Sequence, residues 1–255
     1  MYDVGQATSI DTLPDDVLLE IFNFHGCCVY DVFGDESEKA WQTLVHVCRR
    51  WRCIVFGSPR HLDLQLVCMT KTPAREMLNV WPALPLIIVS HDDSPTGSVD
   101  NLIAALECTD RVCNIYLDIV QSWEMDIYRA MQQPFPELTY LYLESTDKTV
   151  AVVPDSFLGG SAPRLEVLCL GGIPFLGLPK LLLSTTHLIE LNLNIIPHSG
   201  YISPEEMVAA LSTLTPSGKS ANYSRRNQVV SIFFLFCIHS ESDRVFLSSL
   251  YPIKL

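Results

Sequence analysis

The amino-acid sequence predicts a mixed chain, α+β or α/β: an N-terminal helical module over residues 10–60, then a short curved solenoid with a parallel sheet over 61–215. Three observations predict it. Two apolar stripes at helical spacing lie close together near the start, a Leu-x-x-Leu-x-Leu pattern then recurs at a near-constant interval, and after Thr215 the pattern stops, leaving 216–255 as an atypical tail. At 255 residues and 48% hydrophobic content the chain can bury a large core in one or two domains.

The first helix is predicted to begin at Leu13-Pro14. Proline suits a first helical turn, where its missing N–H has no partner to lose, and Thr12 is placed to cap the free amides. Val17, Leu18, Ile21 and Phe22 then fall on one face. A second helix is predicted from near Ser37, carrying Trp41, Leu44, Cys48, Trp51 and Val55 on a single stripe. Both stripes would suit a plain helical core. The joint occurrence of Leu13-Pro14, Ile21-Phe22, Cys48-Arg49-Arg50-Trp51-Arg52 and Ser58-Pro59 is not required by amphipathicity, and it resembles the F-box, a three-helix module.

That resemblance implies docking on the Skp-type adaptor of cullin-RING ubiquitin ligases, and through it on a cullin. It matches Leu13, Pro14, Val17, Leu18, Ile21 and Phe22 to the family's first docking helix, and Leu44, Val47, Cys48 and Trp51 to its second. Residues 26–38 depart from the family, being longer and more acidic than its usual linker.

From residue 84 onward the pattern reads Leu84/Ile87/Val89, Val112/Ile115/Leu117, Leu138/Leu141/Leu143, Leu165/Leu168/Leu170 and Leu188/Leu191/Leu193. The first positions lie 28, 26, 27 and 23 residues apart. This period is that of leucine-rich repeats, in which each unit supplies a short parallel strand and a return segment, and neighbours stack to bury a continuous core. Leu62 and Leu64 are read as an additional edge strand. Ser98 is read as the N-cap of a return helix bearing Val99, Leu102, Ile103 and Leu106. Ser203-Pro204-Glu205-Glu206 forms a capping box with proline at the first helical position. Shorter returns are expected over 122–131, 154–158 and 178–183, with turns at Gly159-Gly160 and Gly171-Gly172. The asparagine usual after the last leucine is missing at Thr146, Ile173 and Ile196, so the repeats are irregular. An F-box followed by irregular repeats resembles a large group of fungal F-box proteins.

Residues 216–228 are polar, and 229–238 read Val-Val-Ser-Ile-Phe-Phe-Leu-Phe-Cys-Ile. Such a run is too short to span a bilayer as a helix. It suits a buried strand closing the solenoid, an aggregation-prone segment, or the product of a misplaced reading frame. The local charge reversal favours the last of these or an atypical end: 216–255 hold five basic and two acidic residues, against seven and eighteen over 61–215.

A net charge of −12 argues against a nucleic-acid backbone or an anionic membrane as partner, since either needs a basic face. No signal peptide is legible at the start, and nine cysteines without a C-x-x-C pair suit buried thiols in a reducing compartment, cytoplasmic or nuclear. No metal site or other cofactor is expected. No nucleophile elbow, phosphate loop or H-E-x-x-H motif is present, so no catalytic residues are assigned and no activity of the chain's own is expected.

The leucines of each repeat point inward, and the period-two alternation of a strand sends the residues between them to the opposite, concave face. Substrate-binding candidates there are Asn114, Tyr116, Tyr140, Tyr142, Glu144, Glu190 and Asn192, with Asp118, Val167, Cys169 and Asn194 beside them. The resulting expectation is a non-catalytic subunit of a ubiquitin ligase that presents an unknown protein substrate. The alternative is a repeat-based binding scaffold acting outside any ligase.

Overall fold

Two units, Met1–Leu66 and Val67–Leu255, divide the chain in a computed structural model that describes residues 10–26, 40–71, 73–90, 98–147, 150–200, 202–214 and 231–235. In the first unit a 3-10 turn, Ile10–Thr12, leads into α1, Asp15–Gly26. The Pro14 carbonyl accepts the first helical bond from Leu18 N at 3.1 Å, and Asp15 and Asp16 place negative charge where the helix dipole is positive. Two further helices follow, α2 (Ala40–Val47) and α3 (Arg49–Gly57).

The single second helix expected from the sequence is therefore two, and the expected start near Ser37 lies outside the described residues. Cys48 is the reason for the break. It is extended (φ −156°, ψ 170°), and its Sγ accepts from Trp51 N at 3.5 Å, acting as the N-cap of α3. The carbonyl that α2 leaves open at Val45 accepts from Arg52 Nε at 2.9 Å. The apolar stripe survives the kink because each half still aims its side chains inward.

The core of this unit is Leu18, Phe22, Leu44, Val45, Ile54 and Val55, all at most 9% exposed. Burying each of these side chains contributes roughly 1.5–3 kcal/mol. Phe22 packs against Trp51 with ring centroids 4.7 Å apart, and Trp41 Nε1 donates to Gln65 O at 3.1 Å. Arg50 ties the start of α1 to α3: its Nε and Nη2 donate to Asp15 Oδ1 at 2.9 and 2.6 Å, and Nη2 also donates to Leu13 O.

The second unit alternates helix and strand. Its strands are β1 (Leu66–Met69), β2 (Leu86–Ser90), β3 (Val112–Asp118), β4 (Tyr140–Glu144), β5 (Val167–Gly171), β6 (Glu190–Asn194) and β7 (Ser231–Leu235). They form one sheet in chain order, and every pairing from β2 through β7 is parallel. Between them lie α4 (Ala74–Val80), α5 (Val99–Leu106), α6 (Glu124–Ala130), a 3-10 turn (Phe157–Gly160), α7 (Leu178–Ser184) and α8 (Pro204–Leu214). Ser98 Oγ accepts from Asp100 N and Ser203 Oγ from Glu206 N, both at 3.2 Å, so both predicted caps close their helices. The α4 return was not anticipated, because no capping side chain marks its start at Pro73.

Leu141/Leu143, Leu168/Leu170 and Leu191/Leu193 stand in register and are at most 5% exposed. Rungs continue past the strands, with Thr139 N donating to Cys113 O, Glu166 N to Thr139 O and Ile189 N to Glu166 O at 2.7–2.8 Å. Glu124 is buried, and its Oε1 accepts from Ala151 N at 2.6 Å, tying α6 to the loop after β4.

Three expectations need correction. The first repeat is read one residue out of frame: a shift between Leu86 and Ile87 aligns Ile88 with Ile115, so Leu86 and Ile88 share the leucine face while Ile87 and Val89 pair with Asn114 and Tyr116. Because the run 86–89 is apolar on both faces, alternation alone could not choose its phase. The edge strand begins at Leu66, with Leu62 and Leu64 buried in the approach to it. Finally, residues 231–235 of the supposed tail pair with β6 from Glu190↔Ser231 to Asn194↔Leu235, so the sheet extends beyond residue 215.

Two predictions follow from this packing. Gly172 has φ +66°, and a Cβ there would lie 2.1 Å from Ser145 O, so Gly172→Ala should lower the unfolding free energy by more than the roughly 1–2 kcal/mol of the backbone conformation alone. Denaturant unfolding tests this, and an unchanged midpoint would show that the turn relaxes freely. Deleting 216–255 removes β7 and exposes the edge of β6, and it should lower the melting temperature by several degrees. An equal or higher melting temperature would mean that the sheet is complete without β7.

Candidate functional site

Period-two alternation places one set of side chains on the face of the sheet opposite the leucines. The register arranges them in three rows. One row runs Asn114, Tyr140, Val167, Glu190; the next Tyr116, Tyr142, Cys169, Asn192; the third Asp118, Glu144, Gly171, Asn194. All the substrate-binding candidates, Asn114, Tyr116, Tyr140, Tyr142, Glu144, Glu190 and Asn192, therefore lie on one surface, each half-buried between its neighbours.

Aromatic stacking and hydrogen bonds order this surface. The rings of Tyr116 and Tyr140 stack with centroids 4.5 Å apart and planes 28° from parallel. The hydroxyl of Tyr142 donates to Glu144 Oε2. Glu144 in turn lies over Gly171, where a Cβ would meet its Cγ at 3.1 Å, so the glycine leaves the room that the carboxylate stem occupies. Thr139 Oγ1 lies 3.1 Å from Asn114 Oδ1 and donates to it, while Cys113 Sγ donates to Leu86 O at 3.1 Å.

The hydroxyls here resist ionisation. Burial first, then Cys169, Tyr116 and Glu190, push Tyr140 up to about 12, and its hydroxyl donates to Cys169. Burial, the hydrogen bond to Glu144 and the charges of Glu144 and Asp118 raise Tyr142 further still. Tyr116 is raised by burial and by Cys113 and Cys169. Burial and Glu190 push Cys169 up to about 11 despite the Tyr140 bond, so it is a neutral thiol rather than a reactive thiolate. The face consequently offers flat apolar rings, neutral donors and carboxylate acceptors. Among the described residues no group of three or more His, Cys, Asp or Glu is placed to hold a metal ion, and no helix is long and apolar enough to cross a membrane.

In the first unit the adaptor-binding candidates separate into two sets. Leu18, Phe22 and Leu44 are buried in the unit's own core, and Cys48 and Trp51 serve α3, as its cap and as the ring against Phe22. Those side chains hold the helices together, Leu18, Phe22 and Leu44 fully inside and Cys48 and Trp51 half-buried. Val17 (41% exposed), Ile21 (44%) and Val47 (59%) are the apolar side chains left outside, alongside exposed Pro14 and half-buried Leu13. Phe24, 90% exposed, and Ile10 were missed. Phe24 was legible, because 17, 21 and 24 are spaced four and three apart and make a second stripe beside that of Leu18 and Phe22.

Compared with known proteins, the chain matches no family model, no curated protein and no solved structure.

The neutral hydroxyl and thiol set a pH dependence. In the unfolded chain Cys169 and Tyr140 titrate near 9.0 and 10.0, and in the fold near 11 and 12, so the folded state holds its protons longer. Their contribution to stability is full below pH 9 and is lost as pH rises through 11 to 12. Unfolding free energy should decline over that window, and less so in Tyr140→Phe. A slope identical in the variant would show that Tyr140 does not carry it.

Proposed function

We propose that this chain is a substrate-recognition subunit of a Skp-cullin-F-box ubiquitin ligase, its first unit docking the adaptor and its sheet unit holding the substrate. The observation that carries this reading is the split of apolar residues on α1. Leu18 and Phe22 suffice to seat the helix on its neighbours, yet Val17, Ile21 and Phe24 keep a second apolar stripe in solvent. A helix with two apolar stripes, one of them unused by its own unit, is what an anchor for a partner groove requires. Together with the Leu13-Pro14 start and the Cys48-Arg49-Arg50-Trp51-Arg52 run, it favours the F-box reading over a plain helical core.

On this reading the chain supplies proximity. The adaptor and cullin bring the transfer machinery, and the substrate sits on the Tyr116/Tyr140/Tyr142 face while its lysines are modified by other subunits. The alternative, a binding scaffold outside any ligase, keeps the same sheet face and dispenses with the adaptor.

Val17→Asp combined with Ile21→Asp separates the two readings, because both side chains are exposed and their replacement leaves the core of the unit intact. Co-purification with a Skp-type adaptor should fall by about a hundredfold or more, as each buried anchor contributes on the order of 2 kcal/mol, while the circular dichroism melt stays unchanged. Wild-type chain that recruits no adaptor, or a double variant that recruits it undiminished, removes the ligase reading.

A further inference from the structure

The rows on the sheet face have an uneven charge. Asp118 and Glu144 occupy paired positions on β3 and β4 at one end of the strands, and Glu190 stands at the other end on β6. None of the face positions that the register assigns on β3 through β6 is Lys, Arg or His. Like charges on paired strand positions repel, and this pair stands beside an aromatic surface. Between the two acidic ends lie the stacked rings of Tyr116 and Tyr140 and the ring of Tyr142. Two strand spacings across and four residues along separate Glu144 from Glu190, about 16 Å at the usual strand dimensions.

We propose that this face docks an extended segment of a partner protein bearing two arginines four residues apart, and so on one side of that segment, one on the Asp118/Glu144 end and one on Glu190, with tyrosine rings beneath. This names the substrate class of the recognition face and rests on that part of the proposed function. Arginine fits better than lysine for two reasons. Its planar guanidinium lies flat on a tyrosine ring while donating sideways to a carboxylate, and it is more weakly hydrated than an ammonium, so stripping its water costs less. A carboxylate has about four acceptor sites, and the Tyr142 hydroxyl takes one on Glu144. Hydroxyls held neutral add no anionic charge of their own, and those of Tyr140 and Tyr142, with their protons committed to Cys169 and Glu144, present oxygens that accept from the N–H groups of the segment. An acidic or phosphorylated segment would instead meet three carboxylates at close range.

The test uses the full chain and fluorescent peptides of about seven residues, Gly/Ser in composition with arginines at the first and fifth positions, on one side of the extended peptide and about 13 Å apart, from where their side chains reach both ends of that span. Companion peptides carry lysine, citrulline or glutamate at the same two positions. The arginine peptide should bind tightest, the lysine peptide several-fold weaker, and the citrulline and glutamate peptides not measurably. Binding should weaken as salt rises. Glu190→Gln and Asp118→Asn should each cost roughly tenfold without changing the melting temperature. Glu190→Arg should reject the arginine peptide and accept one in which a single arginine is glutamate, a rescue that misfolding cannot produce. Equal affinity for arginine and glutamate peptides overturns the proposal. So does indifference to Glu190→Gln and Asp118→Asn, or concentration-dependent self-association that the peptide does not compete with, which would give the face to a second copy. If Tyr116→Ala and Tyr140→Ala weaken peptide binding while the charge variants do not, the face remains the recognition surface and only the basic class is lost. Adaptor co-purification reports on the other unit and is independent of every peptide result.

Discussion

One leucine face on an in-register parallel ladder is the constraint from which the rest of the second unit follows. A parallel strand cannot be joined to its neighbour by a tight turn, so each needs a return segment long enough to cross back over the sheet. Here the returns vary from the helix α8 to a single 3-10 turn at Phe157–Gly160, and from β3 through β7 the ladder stays in register across them. Burial on the leucine side sets the phase of every strand, because a slip of one residue would turn Leu141, Leu143 and their partners into solvent. The rungs that continue beyond the strands, Ile119 N to Glu144 O and Ser145 N to Gly171 O, then fix where the loops can run.

The same phase decides the opposite face without any packing of its own. Once the leucines are inward, Tyr116, Tyr142 and Cys169 must line up, and so must Asn114, Tyr140 and Val167. Stacking of Tyr116 on Tyr140 and the seat that Gly171 offers Glu144 are consequences of this ladder geometry. A surface of this kind is rigid because its spacing belongs to the backbone. Preorganised rings and carboxylates cost a partner little ordering entropy beyond its own, which is the property a docking face needs.

In the first unit the corresponding constraint is the narrowness of a helix stripe. Three short helices offer little area, and the two side chains that α1 sends inside, Leu18 and Phe22, share the interior with Leu44, Val45, Ile54 and Val55. What remains apolar on α1 is left outside, and Arg50 holds the Leu13-Pro14 start in place through Asp15 and the Leu13 carbonyl. At 35% and 67% exposure of the two side chains, that ion pair adds little to stability as a charge pair; its value is in positioning.

Alternation and period were enough to read most of this from the sequence. Four of the five leucine patterns, both serine caps, the glycine turns and the membership of the tyrosine face are local in origin: they depend on which residues lie two, three or four apart, and the chain carries that information directly. What failed locally was decided by tertiary contact. The run 86–89 is apolar on both faces and took its phase from β3. The helix expected through Cys48 broke because a side-chain cap and Arg52 satisfied the ends that an unbroken helix would not have had. Residues 231–235 look foreign in composition yet take the free edge of β6, since an unpaired ladder edge accepts a strand on backbone geometry alone. The division of α1 into a buried and an exposed stripe likewise required the other two helices to be in place. By itself the sequence determined where the apolar rows are; only the folded chain decided which row is spent on its own core and which is left for something else, because burial is a property of neighbours and not of spacing.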